Sequence, residues 1–377
     1  MNDAKQTTPL KIMLLIKSLS QGGAERQCCV LAEQLAGAGH LVCVVVYNNT
    51  DSFYKSLLPN SVCLVSLNCG RWNIPSLLSG LLRQIRIFKP DVVYGFMSHS
   101  NLLLLVSSIF IQVKLVCGVR ASKYDMSAEP IQARIGERLH RYALRFADLI
   151  IANSNAGKHE LVDVGLPYEK ITVVANGIDT ERFQFNHNTR SEIRKALGYT
   201  DNDRVIGLFA RLHPMKGHSV LLKAFSNINA ENKSFKLLLI GSGSDVPIEE
   251  LISETVLQES VKLLQECKDI ERYYSAIDLY CSASLYGEGF PNALSEAMSV
   301  GLPCIATDVG DSALILSNYG PLIAAGDVQQ LTDAIRSCAA ERIEADAKAR
   351  RQHIVQNFGL TRLGERTILA LRQMSER

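Results

Sequence analysis

The sequence predicts an α/β chain of two doubly wound parallel-sheet domains facing each other across a cleft. Three observations predict it. Short apolar runs rich in β-branched residues alternate with helix-like stretches almost from end to end. The length of 377 residues exceeds one ordinary core, at roughly 150 residues per domain. The alternation pauses once, near 180–203, and then restarts.

In chain order, KIMLLI, LVCVVVY, DVVYGF, KLVCGV, DLIIANS and ITVVANG read as strands of a first sheet. The stretch GAERQCCVLAEQLAGAG, closed by glycine, reads as the first intervening helix. Strands this uniformly apolar belong to a parallel sheet covered on both faces. After the pause at TERFQFNHNTRSEIRKALGYTDND, RVIGLFA, KLLLIG, LYCSA and PCIAT start a second sheet. The expected division is 1–185 for the first domain and 186–358 for the second. A last helix, 359–377, is expected to pack back on the first. Ligands of open α/β sheets bind at the carboxyl ends of the strands, so the cleft is the expected site, and a two-domain cleft suits closure around a substrate.

Composition is that of an ordinary globular chain, 47% hydrophobic and 21% charged. The net charge of +2 divides unevenly: 1–185 hold 19 basic and 14 acidic residues, and the remainder 21 and 24. The ten cysteines show no metal-ligand spacing. Cys43, Cys117 and Cys304 lie inside apolar runs and read as small buried hydrophobes of a reducing compartment. KIMLLIK is too short for a secretory core, and the apolar stretch Leu102–Val113 falls short of the about 20 residues of a membrane span. A cytoplasmic protein, with or without contact to a membrane surface, is expected.

Three loops carry candidate chemistry. In SLSQGGAER, Gly22 and Gly23 stand between the first strand and the first helix. There backbone can approach an anion closely and free N–H groups can receive it; a tight turn is the alternative. The spacing is not G-x-G-x-x-G, which disfavours a dinucleotide. In FARLHPMKGHSVLLKAF, Arg211 at a strand end and Lys216 before a helix suit a diphosphate; solvated surface cations are the alternative. In GEGFPNALSEAMSVGLP, Glu288 precedes a short helix, about 293–299, that Asn292 would cap and Gly301 would close. Glu296 sits a turn inside that helix. Both carboxylates could face one ligand, with the backbone of 289–292 between them, and accept bonds from sugar or ribose hydroxyls. A capping carboxylate plus a solvated helix glutamate is the bland alternative.

GGAER, then ARLHPMKG, then EGFPNALSE, in this order and at these intervals, resemble the retaining glycosyltransferases of family 4, with the GT-B fold of two Rossmann-like domains. ANSNAGKHELVDVGLP with KITVVANGID, and DIERYYSAIDLYCSAS, extend the resemblance over nearly the whole chain. It implies that Arg211 and Lys216 bind the donor diphosphate and stabilise the leaving nucleotide, and that Glu296 holds the ribose hydroxyls. It implies that Glu288, with the backbone of Gly289, Phe290, Pro291 and Asn292, holds the transferred sugar. Gly22 and Gly23 would face the phosphates. His99, in FMSHSN, would lie near sugar and acceptor; a loop histidine is the alternative, and Ser100 stands where the family often has an acidic residue.

A UDP- or GDP-sugar donor and a saccharide or lipid-linked acceptor are thus implied, in cell-surface polysaccharide, lipopolysaccharide or glycolipid synthesis, with no cofactor. No D-x-D stands beside a suitable strand, since the DND at 201–203 lies in the pause, so two fixed cations are expected to do the work of a metal ion. No enzymic nucleophile is visible, and the leaving phosphate would take the acceptor's proton. In IQARIGERLHRYALRFAD, Arg134, Arg138, Arg141 and Arg145 form a narrow helical stripe. Ile131, Ile135, Leu139, Tyr142 and Phe146 form the adjoining face, expected to pack onto the sheet. The arginines could meet an anionic membrane surface or the phosphate of a lipid-diphosphate acceptor. Two readings compete: a GT-B-like nucleotide-sugar epimerase, and a non-catalytic nucleotide-sugar-binding partner protein. Nothing in the charge pattern points to nucleic acid.

Overall fold

The structure, a computed structural model, describes residues 8–20, 22–48, 53–67, 73–120, 131–243, 245–246, 248, 252, 257–339 and 346–376. The chain forms two compact units. One takes the chain up to Gly177 and resumes at Leu360; the other runs Ile178–Gly359.

The first unit is a seven-stranded parallel sheet in the order β3-β2-β1-β4-β5-β6-β7. Its strands are β1 (Lys11–Ile16), β2 (Leu41–Val46), β3 (Cys63–Ser66), β4 (Val92–Phe96), β5 (Lys114–Val119), β6 (Leu149–Ala152) and β7 (Ile171–Val173). The helices α1 (Gly23–Gly37), α2 (Ile74–Phe88), α3 (Met97–Ser107), α4 (Ile131–Ala143) and α5 (Asn155–Asp163) lie between strands.

The unbroken apolar runs follow from period-two geometry with both faces covered. Ile12, Leu14 and Ile16 enter one core with Cys28, Leu31 and Leu35 of α1. Met13 and Leu15 enter the other with Leu81 and Ile85 of α2 and Leu104 of α3.

The second unit is a six-stranded parallel sheet, β10-β9-β8-β11-β12-β13. Its strands are β8 (Arg204–Phe209), β9 (Phe235–Ile240), β10 (Val261–Leu264), β11 (Leu279–Ser282), β12 (Cys304–Thr307) and β13 (Leu322–Ile323). Its helices are α6 (His187–Ala196), α7 (His218–Glu231), α8 (Ile270–Ala276), α9 (Asn292–Val300), α10 (Ser312–Leu316), α11 (Val328–Ala339) and α12 (Ala347–Phe358).

The last helix, α13 (Leu360–Ser375), packs on α1, and its Leu363, Ala370, Leu371 and Met374 complete the first unit's core. Gln27 of α1, fully buried, clamps the last residue of the unit's main body. Its amide donates to the Gly177 carbonyl at 2.8 Å and accepts from the Gly177 N–H at 2.9 Å.

The change of unit falls at Gly177/Ile178, eight residues ahead of 185. The segment after Ile178 is already built into the second unit. Phe183 is buried against the Tyr274 ring at 5.7 Å, and Arg182 pairs with Glu271 at 2.7 Å. Cys43, Cys117 and Cys304 are buried. Among the described residues no helix is long and apolar enough to cross a membrane.

Candidate functional site

In each sheet the strand order reverses once. The chain leaves β8 for β9 and β10 on one side and returns as β11 on the other. The loops after β8 and β11 therefore flank the switch point, where open α/β sheets bind ligands. These two loops carry Arg211 and Lys216, and Glu288.

The loops are locked together. Lys216 Nζ donates to Glu288 Oε1 at 2.5 Å, and Ser284 donates to the same oxygen at 2.6 Å. The Leu285 N–H donates to the Met215 carbonyl at 2.7 Å. Gly217 adopts φ 67°, a left-handed conformation that favours glycine, and a Cβ there would stand 1.9 Å from the Ala283 carbonyl oxygen.

A third loop, after β12, supports the second. Gly310, at φ 63°, lies so close that a Cβ would meet the carbonyl oxygens of Glu288 and Gly289 at 2.6 Å. The Asp311 N–H donates to the Gly289 carbonyl at 2.9 Å, and Thr307 donates to the Ser284 carbonyl at 2.6 Å.

Glu288 is 8% exposed and Glu296 5%. A carboxylate this deep needs partners; Glu288 has Lys216 and Ser284, and Glu296 receives the Tyr274 hydroxyl at 2.9 Å. The two glutamates share surroundings: burial, Glu296, Cys304 and Glu288 together push the Tyr280 phenol well up. Arg211, by contrast, is exposed and makes no hydrogen bond or ion pair among the described residues. Arg211 stands in the same loop as Lys216, five residues before it, and this set of residue types can receive a diphosphate and a polyol.

The details differ from expectation at one cap. The helix after Glu288 begins at Asn292, so Pro291 is the N-cap and Asn292 the first helical residue. Pro291 has no side-chain cap to offer; its carbonyl accepts the first helical bond from the Ser295 N–H at 3.3 Å. Gly301, at φ 92°, closes the helix. Phe290 packs on the Phe358 ring at 5.2 Å, a core contact that fixes the loop backbone. The DND at 201–203 forms a turn in which the Asp203 carboxylate accepts from the Thr200 N–H and hydroxyl at 2.6 and 2.9 Å.

The first sheet reverses between β1 and β4, and the loops there carry Gly22, Gly23 and His99. Gly22 is extended, with φ 179°, and offers α1 no side-chain cap. A Cβ on Gly22 would stand within contact of the Glu25 carboxylate, which covers it. Burial raises the Glu25 pKa, against a bond from its own backbone N–H and the attraction of Lys17. An anion at this helix start has to displace that carboxylate.

His99 lies in the first turn of α3, two residues after Met97, whose φ of 68° is strained for a side chain this size. His99 is exposed overall, yet surrounding protein, then Lys17 and His140, hold its pKa below the ordinary value.

Sequence reasoning missed Ser284, Tyr274, His218, Lys17 and the Gly310–Asp311 support. His218, beside Lys216 and Gly217, is 2% exposed, and neither ring nitrogen has a partner among the described residues. Burial, then Lys216, pushes its pKa down to about 4. Only Lys17 carried a signal, a lysine directly after the first strand; the parts of the others rest on burial and pairing that residue type alone does not announce.

Helix α4 departs most from expectation. Its buried side carries His140, with Leu144 buried just after it, while Ile131, Ile135, Leu139, Tyr142 and Phe146 are exposed. Arg134, Arg138 and Arg145 are exposed, but Arg141 is half-buried and engaged. Its guanidinium is held by Glu137 at 3.1 Å and Glu160 at 2.7 Å.

Comparison with known proteins divides the chain the same way. Residues 21–182 match the model described as Glycosyltransferase Family 4, and 189–356 that of Glycosyl transferases group 1. EpsF of Bacillus subtilis is 33% identical over 174 residues, 44% of this chain and 45% of that protein. The chain thus spans about half the length of that relative. The UDP-Gal:alpha-D-GlcNAc-diphosphoundecaprenol alpha-1,3-galactosyltransferase of Escherichia coli is 25% identical over 325 residues, 84% of this chain and 82% of that one. Among solved structures, Anabaena Alr3699/HepE in complex with UDP superposes with a TM-score of 0.81 at 23% identity, over 97% of this chain and 100% of that chain. At that identity the likeness shows the fold.

Proposed function

We propose, for a chain that belongs to the GT-B glycosyltransferases, a family 4 half joined to a group 1 half, that it transfers a sugar from a nucleotide-diphosphate sugar without a metal ion and with retention at the anomeric carbon. The observation that carries this is the Lys216–Glu288–Ser284 chain at the switch point of the second sheet, with Arg211, unengaged among the described residues, in the loop of Lys216, and with Glu296 acting on the same Tyr280 as Glu288.

Arg211 and Lys216 would neutralise the charge that grows on the departing diphosphate, as preorganised donors that need no reorganisation during the step. Glu288 and the backbone of 289–292 would hold the transferred sugar, and Glu296 the ribose hydroxyls. The bond from anomeric carbon to phosphate oxygen breaks and one to the acceptor oxygen forms. The acceptor's proton goes to the leaving phosphate; Glu288, the carboxylate assigned to the sugar, is engaged by Lys216 and Ser284. Gly22 and Gly23 are assigned to the phosphates and His99 to the sugar and acceptor.

A UDP- or GDP-sugar donor and a saccharide or lipid-linked acceptor agree with one relative's name, which gives UDP-Gal and a diphosphoundecaprenol acceptor; that name supports, for this chain, a reading of work at the cytoplasmic face of a membrane. A thermal-shift screen of nucleotide sugars tests the reading. The cognate donor at about 100 Kd stabilises by about 2.7 kcal/mol. No shift with any UDP- or GDP-sugar would remove it. Turnover abolished by EDTA and restored by Mg²⁺ would remove metal independence, and an inverted anomer in the product's NMR spectrum would remove retention.

A further inference from the structure

We propose that the α4 ridge of the first unit is a bilayer-docking surface, which inserts its apolar side chains into a membrane of anionic lipid. It deepens the reading above by naming where an acceptor in lipid would be met, though the binding step itself needs no donor.

Amphipathic helices of globular domains turn their apolar stripe to the core; α4 does the reverse. Ile131, Ile135, Leu139, Tyr142 and Phe146 are 61%, 50%, 58%, 60% and 65% exposed. The four on the helix fall within an arc of about 80° at 3.6 residues per turn. The side turned inward carries His140, 2% exposed and bonded to Asn101 at 3.0 Å; Leu144, just past the helix, is fully buried. The helix is therefore fixed in this rotation by its inner contacts and cannot roll to hide the stripe. Two more large apolar side chains, Ile109 and Phe110, are 78% and 57% exposed just past the end of α3, on which α4 packs.

The occupant follows from charge. Arg134 and Arg138 occupy the adjoining about 60° of the helix surface and make no hydrogen bond or ion pair among the described residues. Arg145 places its guanidinium 5.7 Å from the Tyr142 ring. The acidic groups of this helix region face elsewhere: Glu137 is engaged by Arg141 and Ser98, and Glu160 by Arg141. Uncompensated arginines along one edge of a large exposed apolar ridge match a headgroup layer of phosphates above acyl chains. In that setting an apolar face sinks roughly 5–10 Å and basic side chains reach up to the phosphates. A second copy of this chain would offer the same uncompensated arginines, like charge against like.

The experiment is flotation of the full chain, without nucleotide sugar, on vesicles of phosphatidylglycerol with phosphatidylcholine and on pure phosphatidylcholine. Strong binding to the first and weak binding to the second is expected. Each arginine near an anionic surface contributes about five-fold in partition, so Arg134→Gln/Arg138→Gln should lose about 25-fold on the anionic vesicles and little on the neutral ones. Ile135→Ser/Leu139→Ser should lose binding to both. An environment-sensitive fluorophore on Leu139→Cys should shift to the blue when vesicles are added. No flotation, flotation indifferent to both double variants, or a fluorophore that stays in water would overturn the proposal. So would a dimer in solution that Leu139→Ser dissociates while vesicles go unbound. A nucleotide sugar that still raises the melting temperature in such a case leaves the transferase reading intact, so the two failures are told apart.

Discussion

Gly217→Ala isolates the contact that brings the loops after β8 and β11 together. At φ 67° the new side chain sits in the left-handed region, at a cost of about 1–2 kcal/mol. Its Cβ would also stand 1.9 Å from the Ala283 carbonyl oxygen, backbone that cannot rotate away. Taking about 3.3 Å as a close carbon–oxygen approach, the loops must part by roughly 1.4 Å. The 2.7 Å bond from the Leu285 N–H to the Met215 carbonyl then passes out of hydrogen-bond range, about 1 kcal/mol more. The total is about 2–3 kcal/mol. For a unit of this size that lowers Tm by about 4–12 °C by calorimetry. A shift of about 1 Å in Lys216 relative to Glu288 should cost about 100-fold in turnover. Gly198→Ala is the control: the same left-handed φ, 70°, but nothing within 4 Å of the added carbon. It should show the conformational cost and keep full turnover. If Gly217→Ala loses no more Tm than Gly198→Ala, the clash argument fails.

Other substitutions probe separate links. Lys216→Ala should lower turnover by about 100-fold or more, as loss of one preorganised donor does, with native circular dichroism; unchanged turnover removes Lys216 from the mechanism. His218 is neutral when folded, with its pKa pushed down to about 4 from 6.5. Between those values the unfolded chain binds more protons, so stability falls as pH drops through that window, by about 3 kcal/mol in all. His218→Leu should flatten that acid limb in urea titrations; an unaltered slope refutes it. Gln27→Leu leaves the Gly177 N–H and carbonyl unpaired in the core and should cost about 2–4 kcal/mol of unfolding free energy. A urea midpoint at the wild-type value would show that Gln27 is not the clamp.

Most of the sheet was legible because strands covered on both faces are apolar at every position past the first, as β1, β2 and β8 are. The strands that escaped, β3, β10 and β13, lie at sheet edges. There one side of the ladder is missing and burial is partial, so the apolar signal fades, and β13 has two residues only. The candidate residues were legible as types at strand ends. Their pairing was not: Lys216 and Glu288 are 72 residues apart and meet only because β8 and β11 are neighbours. Helical periodicity found the α4 stripe but not its direction. Periodicity says which residues share a face; here His140 and Leu144 anchor the opposite one, so the apolar stripe looks outward.

The helix at Leu360–Ser375 finishes a unit begun at the other end of the chain. On the ribosome, the nascent first sheet must wait while the 182 residues of Ile178–Gly359 are translated, roughly 10–40 s at about 5–20 residues per second. Through that interval the outer side of α1 has no cover, and a transcript cut short before Leu360 yields a product that never gains it. Such fragments should be taken up by chaperones or proteases even when the whole second unit has been made.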